Sequence, residues 1–305
     1  FNAQGLAIKY LQAKWDLLLP VDRYHHVLPD DNPYEEPLEG ASTPTLPLDV
    51  AALYEAGGRN TALLRWVPGS NTLTTDLALA ALKGEDMGTD EATDLLAISY
   101  GGPDELGHEM GPRALEVEDM YVRLDLELAR LLKALDEQVG VGRYTLFLTA
   151  DHAVVDVPEY LKDLKGSAGY VDMTALMGSV DAALGERFGP GKWVRKRIKE
   201  QLFLSDSLIA VRKLDPVIVQ RTAADVLLME PGIAEALTAS DLMRVSYSDG
   251  IREMIQRGFS PQRSGDVCFA LRPGYLASWP TMVKKGTEHG SGWNYDTSRG
   301  NQVRS

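Results

Sequence analysis

The sequence predicts an α/β protein, and three observations carry that reading. Residues 94–99, DLLAIS, form a short apolar run that ends in the turn YGGPD. Residues 112–139 repeat apolar side chains at helical spacing, with Leu124, Leu128, Leu131, Leu135 and Val139 on one stripe. Residues 144–149, YTLFLT, form a second apolar run. Neither run alternates with polar residues, as expected of strands covered on both faces. Strand, helix and strand in that order predict a right-handed parallel crossover.

The remaining elements follow in chain order. Residues 1–19 read as a helix with Ile8, Leu11, Trp15 and Leu18 inward and Pro20 as its stop. Residues 29–48 carry Pro29, Pro33, Pro37, Pro44 and Pro47 and read as an extended surface loop, with His25 and His26 exposed beside it. Residues 74–82 read as a short helix. In the long helix, Pro112 suits the first turn and Gly140 the stop. A mainly helical insertion or subdomain is expected at about 170–260, with amphipathic helices near 171–187, 192–203 and 216–229. Its basic run KWVRKRIK reads as a solvated helix face with Trp193, Val194 and Ile198 inward, not as a nucleic-acid patch. Residues 266–271, DVCFAL, read as a strand, and the polar tail GWNYDTSRGNQVRS suggests no element.

Composition narrows the function. The 305 residues are 44% hydrophobic and 25% charged, which is enough for a sizeable core. The net charge of -13 argues against nucleic acid or an anionic membrane as a main partner. It leaves room for a small anionic substrate where a metal reverses the local field. No apolar run reaches the ~18 residues of a membrane span, and the opening FNAQGLAIKY shows no signal peptide. The single cysteine, Cys268, excludes disulfides and thiolate metal sites and reads as a buried strand residue. The segment Gly140-Val141-Gly142 lacks the third glycine of a dinucleotide fingerprint, and neither a P-loop nor a G-x-S-x-G elbow is present.

The chemistry lies just past the two apolar runs. Asp104 and His108 follow the first, four residues apart, so a helix there puts them on one face. Asp151 and His152 follow the second. Ligands in open α/β sheets bind beyond the carboxyl ends of strands. Carboxylate oxygen and imidazole nitrogen together suit zinc at about 2.0–2.2 Å, and would also accept manganese or iron. Two such pairs could hold two ions about 4 Å apart, an arrangement common in phosphoryl transfer. His289, in GTEHGSGWNYDT between Gly290 and Gly292, could complete one ion's shell. The residues alone also allow a plainer reading: D-x-x-x-H recurs by chance, and TADH could be a helix cap followed by a hydrogen-bonded histidine.

The runs ISYGGPDELGHEMGP, VEDMYVRLD, LFLTADHAVVDVP and GTEHGSGWNYDT, in this order, resemble the alkaline phosphatase superfamily. The likeness is closest to the phosphate-irrepressible periplasmic alkaline phosphatases, and DDNPYEEP resembles that branch as well. It covers most of residues 1–297. The resemblance implies an alkaline-phosphatase-like fold, a central mostly parallel sheet flanked by helices. It implies two zinc ions, one held by Asp104, His108 and His289 and the other by Asp151 and His152. The family's nucleophile, a Thr or Ser, lies upstream together with another metal-binding Asp, and nothing before Asp104 resembles that segment. The chain is therefore expected to be the C-terminal part of one domain, with an incomplete sheet, an incomplete second zinc site and negligible turnover alone. Relatives continue N-Y-D-T into a His and an apolar strand, whereas SRGNQVRS follows here, so a truncated or frame-shifted chain is expected. The implied function is hydrolysis of small phosphate monoesters by a periplasmic or secreted enzyme, with no nucleic-acid or membrane partner. Two alternatives stand beside it: a phosphodiesterase or nucleotide pyrophosphatase of the same superfamily, and a non-catalytic protein that keeps one zinc.

Overall fold

In the computed structural model, which describes residues 1–282, 284–289 and 293, the chain divides into two units. The first is Phe1–Thr149 with Lys285–Thr287, and the second is Ala150–Lys284 with Glu288–Ser305.

The first unit is helical. Its elements are α1 (Leu6–Leu11), β1 (Lys14–Trp15), β2 (Leu48–Asp49), α2 (Val50–Ala56), α3 (Gly69–Gly84), α4 (Gly102–Met110) and α5 (Leu115–Gln138). The leucine stripe of the sequence becomes α5, which ends just before Gly140 at φ 106. Acidic Glu116 and Glu118 occupy its first turn, where they meet the positive end of the helix dipole. The expected short helix at 74–82 lies inside the longer α3. Leu11, Trp15, Leu48, Tyr54, Leu106, Met110 and Met120 form one buried cluster.

The expected helix over 1–19 stops at Leu11. Tertiary contacts override the local period there. Trp15 instead pairs with Leu48 in the antiparallel β1–β2 bridge, and its indole nitrogen donates to Asp119 Oδ2 at 2.7 Å. Asp119 is fully buried and also accepts from Leu18 N at 2.8 Å, Tyr24 Oη at 2.6 Å and Arg123 Nε at 2.6 Å. Four donors on one carboxylate thus tie residues 15–24 to α5.

The second unit is mixed. It holds α6 (Pro158–Asp163), β3 (Gly169–Asp172), α7 (Met173–Phe188), β4 (Val194–Ile198), β5 (Gln201–Leu204), α8 (Asp206–Val211), α9 (Pro216–Leu228), β6 (Ile233–Thr238), α10 (Ala239–Arg244), α11 (Gly250–Gly258), β7 (Val267–Leu271) and β8 (Tyr275–Ser278). Strands β3 and β8 pair in parallel, and β4-β5-β7-β6 form an antiparallel sheet. The fold class is α/β as expected, with the predicted strand at DVCFAL present as β7. The expected helix over 192–203 is instead the β4–β5 hairpin. Leu202 and Leu204 alternate inward along β5 at full burial, which is strand periodicity. Trp193 and Val194 are buried as expected, but Ile198 is 50% exposed.

The two apolar runs that suggested the crossover form no ladder among the described residues. They were expected to be buried, yet Leu95 is 88% exposed, Phe147 88% and Leu148 75%. A strand needs a neighbour along its edge, and apolar composition does not supply one.

Asp119 generates a stability prediction. Burial pushes its pKa up, but the hydrogen bonds from Tyr24, Arg123, Leu18 and Trp15 outweigh that and leave it below its ordinary 3.8. Its contribution is therefore present above the ordinary value and lost as pH falls through the depressed one. Asp119→Ala leaves buried donors without an acceptor and should cost about 3–5 kcal/mol in urea denaturation at pH 7. A cost below about 1 kcal/mol would show that the network does not hold residues 15–24.

Candidate functional site

Helix α4 carries the first pair. Pro103 lies in its opening turn, where no backbone N–H is needed, and Asp104 and Glu105 offset the dipole there. Gly111, at φ 82, ends it. Leu106 and Met110, four residues apart, are buried at 0% and 1% exposure, which leaves Asp104 and His108 on a shared, more open face. As the helical spacing implied, the two side chains share one face, with His108 Nε2 3.6 Å from Asp104 Oδ1. That separation is too long for a hydrogen bond. It is close to the ~3.4 Å between two ligand atoms on one tetrahedral ion. Tyr121 is also near, its hydroxyl pKa raised first by burial and then by Asp104.

His108 Nδ1 lies 3.0 Å from the carbonyl oxygen of Thr287. A carbonyl only accepts, so Nδ1 carries the proton and the neutral ring keeps its lone pair on Nε2. Thr287 N returns a hydrogen bond to His108 O at 2.9 Å, and Gly286 N donates to Tyr34 O at 2.9 Å. Gly286 has φ +65, and a Cβ there would stand 2.0 Å from His108 O. Only glycine lets residues 285–287 lie this close to α4.

The second pair repeats the arrangement. His152 Nδ1 lies 2.9 Å from Ala153 O, so its proton is held by a backbone carbonyl as well. Its Nε2 is 3.6 Å from Asp151 Oδ2. His289 stacks on His152, with ring centroids 3.5 Å apart and planes 13° from parallel. A hydrogen bond from Val155 N to Glu288 O, at 3.5 Å, accompanies the stack. Asp151 side-chain exposure is 90% against 22% for His152. The expected tight turns at Gly290 and Gly292, and the tail beyond Trp293, lie outside the described residues. His25 and His26 are exposed, as expected, and take part in neither pair.

Sequence reasoning missed the backbone partners. Thr287 O, Ala153 O and the close approach at Gly286 orient the imidazoles, and a main-chain carbonyl has no residue-type signal. The glycine in KKGTEH was the one available cue.

With this geometry in place, comparison with known proteins is informative. The family model for type I phosphodiesterase/nucleotide pyrophosphatase matches residues 20–292. The chain belongs to this family. Within it, the chain is similar to the calcium-transporting ATPase of Myroides odoratus, 34% identical over 97% of this chain and 54% of that protein. It is also similar to alkaline phosphatase PafA of Elizabethkingia meningoseptica, 32% identical over 97% of this chain and 53% of that protein. The crystal structure of wild-type PafA superimposes with a TM-score of 0.88 at 31% identity, covering 97% of this chain and 56% of that one. The chain thus spans about half the length of the curated relatives it matches. Its fold is alkaline-phosphatase-like, α/β, with helices flanking the sheets and parallel pairing between β3 and β8.

Gly286→Ala should be poorly tolerated. The left-handed backbone and the clash with His108 O together should cost about 2 kcal/mol or more. Thermal unfolding reads the cost, and the His108 Nδ1–H proton resonance reads the loss of its Thr287 partner. An unchanged resonance would mean that the 285–287 segment does not orient His108.

Proposed function

We propose that residues 1–305 contribute the metal-binding part of a metal-dependent phosphate monoester hydrolase that uses two zinc ions. The observation that carries this reading is the repeated arrangement of a carboxylate oxygen 3.6 Å from the Nε2 of a histidine whose Nδ1 is held by a backbone carbonyl. A carbonyl on the far nitrogen fixes the tautomer and aims the other nitrogen, as metal-binding histidines require. Asp104, His108 and His289 would hold one zinc, and Asp151 and His152 would contribute to the other. When bound, such ions lower the pKa of a hydroxyl nucleophile and neutralise charge on the departing oxygen.

The chain's own residues supply position and charge. The Thr287 carbonyl keeps the His108 proton on Nδ1. The Ala153 carbonyl does the same for His152, and the His289 ring limits rotation of His152 by stacking on it. Asp104 and Asp151 bring negative charge beside each imidazole, which attracts a cation and repels a phosphoryl group until the cation is present. The Thr or Ser nucleophile is assigned to sequence outside residues 1–305, so the chain tested alone should turn over negligibly. The substrate is a small phosphate ester, and a periplasmic or secreted location accompanies this reading. No helix among the described residues is long and apolar enough to cross a membrane.

A second reading has its own support. The family description names phosphodiesterases and nucleotide pyrophosphatases, so a diester substrate would use the same ligands with a different pocket.

Zinc content decides the first part. After equilibration with zinc and gel filtration, the purified chain should retain metal, and His108→Ala or His289→Ala should weaken zinc binding by ~10-fold or more. Zinc retention unchanged by substitution of all five residues would remove the proposal. Turnover decides the second part: an aryl phosphate hydrolysed by 1–305 at a rate abolished in His289→Ala would overturn the placement of the nucleophile outside this chain.

A further inference from the structure

Helix α11 covers the antiparallel sheet without sealing against it. Its apolar residues Ile251, Met254 and Ile255 recur at helical spacing on one face, yet no residue of α11 is fully buried. The helix is held from its other sides. Gln256 Nε2 donates to Leu242 O at 2.7 Å and to Val245 O at 2.5 Å, and Gln256 Oε1 accepts from Tyr247 N at 3.0 Å. Arg252 Nε pairs with Glu235 Oε1 at 3.1 Å. Under the apolar face runs β7, whose side chains alternate. Val267, Phe269 and Leu271 join the main core of the second unit, while Cys268 packs with Ile255 and Phe259. By the same alternation Ala270 shares the Cys268 face. Two small side chains there leave a cleft of about 510 Å³ bordered by α11, β7 and β8.

The lining combines two chemistries. Met254, Phe259, Tyr275 and Trp279 give it a wall of aromatic rings and a thioether. Such a wall favours an aromatic guest, through stacked or edge-on ring contacts and through sulfur contacts. Among the described residues, Arg197 and Lys199 bring positive charge to the cleft and Glu200 and Glu288 negative charge, so the two signs balance. His289, assigned above to zinc, lines it as well. The volume suits a small organic ligand, whose sites span about 300–1,000 Å³. We propose that this cleft is the leaving-group subsite of the hydrolysis proposed above and takes the aromatic alcohol part of an aryl phosphate ester. The ring lies under α11 against the Ala270 face, and the phosphoryl group lies toward His289. The phosphoryl end rests on the zinc reading, whereas the ring end rests on the cleft alone. Aryl esters therefore bind more tightly than small polar esters, because the ring takes apolar wall out of water.

Binding to the purified chain, first without metal and then with zinc, provides the test. 2-Naphthol should bind the metal-free chain saturably at one site, read by its fluorescence anisotropy. Met254→Asp, which puts a charge on the half-buried α11 wall, should weaken that binding by ~10-fold or more. Ala270→Leu, which fills the cleft, should weaken it as well, and one folded variant of the two is enough for the comparison. Zinc should tighten binding of 2-naphthyl phosphate and leave 2-naphthol unchanged, and glycerol 2-phosphate should bind more weakly than 2-naphthyl phosphate. Absence of saturable 2-naphthol binding, or binding unchanged in the folded variants, would overturn the proposal whatever the zinc content. A chain that retains zinc and binds 2-naphthol, but shows no zinc effect on 2-naphthyl phosphate, would overturn the leaving-group role. A chain that binds 2-naphthol and retains no zinc would sink the zinc reading, and the leaving-group role with it, while the aryl site stands.

Discussion

Thr287 and His108 exchange two hydrogen bonds, and the rest of the candidate chemistry depends on that exchange. Thr287 N satisfies the His108 carbonyl while Thr287 O holds the His108 Nδ1 proton. One contact therefore fixes the backbone near the end of α4 and the tautomer of its imidazole together. It is possible because residue 286 has no Cβ. The same short stretch then leads through Glu288, which accepts from Val155 N, to His289 on the His152 ring. Within the first unit, Gly286 and Thr287 thus set His108, and within the second, Glu288 and His289 accompany His152. The sequence separation from His108 and from His152, more than a hundred residues in each case, makes the arrangement a product of tertiary folding and not of local propensity.

Charge is organised by burial more than by number. The chain carries 44 acids against 31 Lys and Arg, yet the acids behave in three different ways. Asp119 is fully buried but meets four donors, so it stays ionised and structural. Asp104 and Asp151 are exposed and each adjoins an imidazole. Glu35 and Glu116 are buried, and burial pushes both up, Glu35 to about 8 and Glu116 to about 9, so each keeps its proton at neutral pH. The same side-chain chemistry gives a hydrogen-bonded anchor, an exposed charge and a neutral buried acid, depending on burial and on how many N–H groups surround it.

Legibility in the sequence followed the range of the interaction that decides each feature. Helix α5 was readable because its leucine stripe is local. The Asp104–His108 pair was readable because one helical turn sets it. Residues 192–203 were misread because Trp193 and Val194 also suit a helix, and only pairing of β4 with β5, and of β5 with β7, decides for strands. Runs 94–99 and 144–149 look buried by composition, but burial needs a neighbouring chain segment, and none among the described residues provides it. The Val155–Glu288 bond and the Thr287 carbonyl were invisible because they are main-chain contacts. Nothing in LEVEDMY marks Glu116 as buried, and its 0% exposure comes from tertiary packing.

These contrasts imply that the five candidate ligands are not equally prepared for an ion. His108 is held at both its backbone and its ring. His152 is held by a carbonyl on one nitrogen and by a ring on its face. Asp151 ends an apolar run with no ladder among the described residues, and firm burial resumes only at Val155 and Val157. Its 90% exposed side chain must therefore lose conformational freedom when it binds, whereas the histidines have already lost theirs on folding. An interaction that built residues 144–149 into a ladder would order Asp151 beforehand and recover that cost as affinity. The exposed apolar run and the exposed carboxylate adjoin in the chain, so any order imposed on Phe147 and Leu148 would pass directly to Asp151.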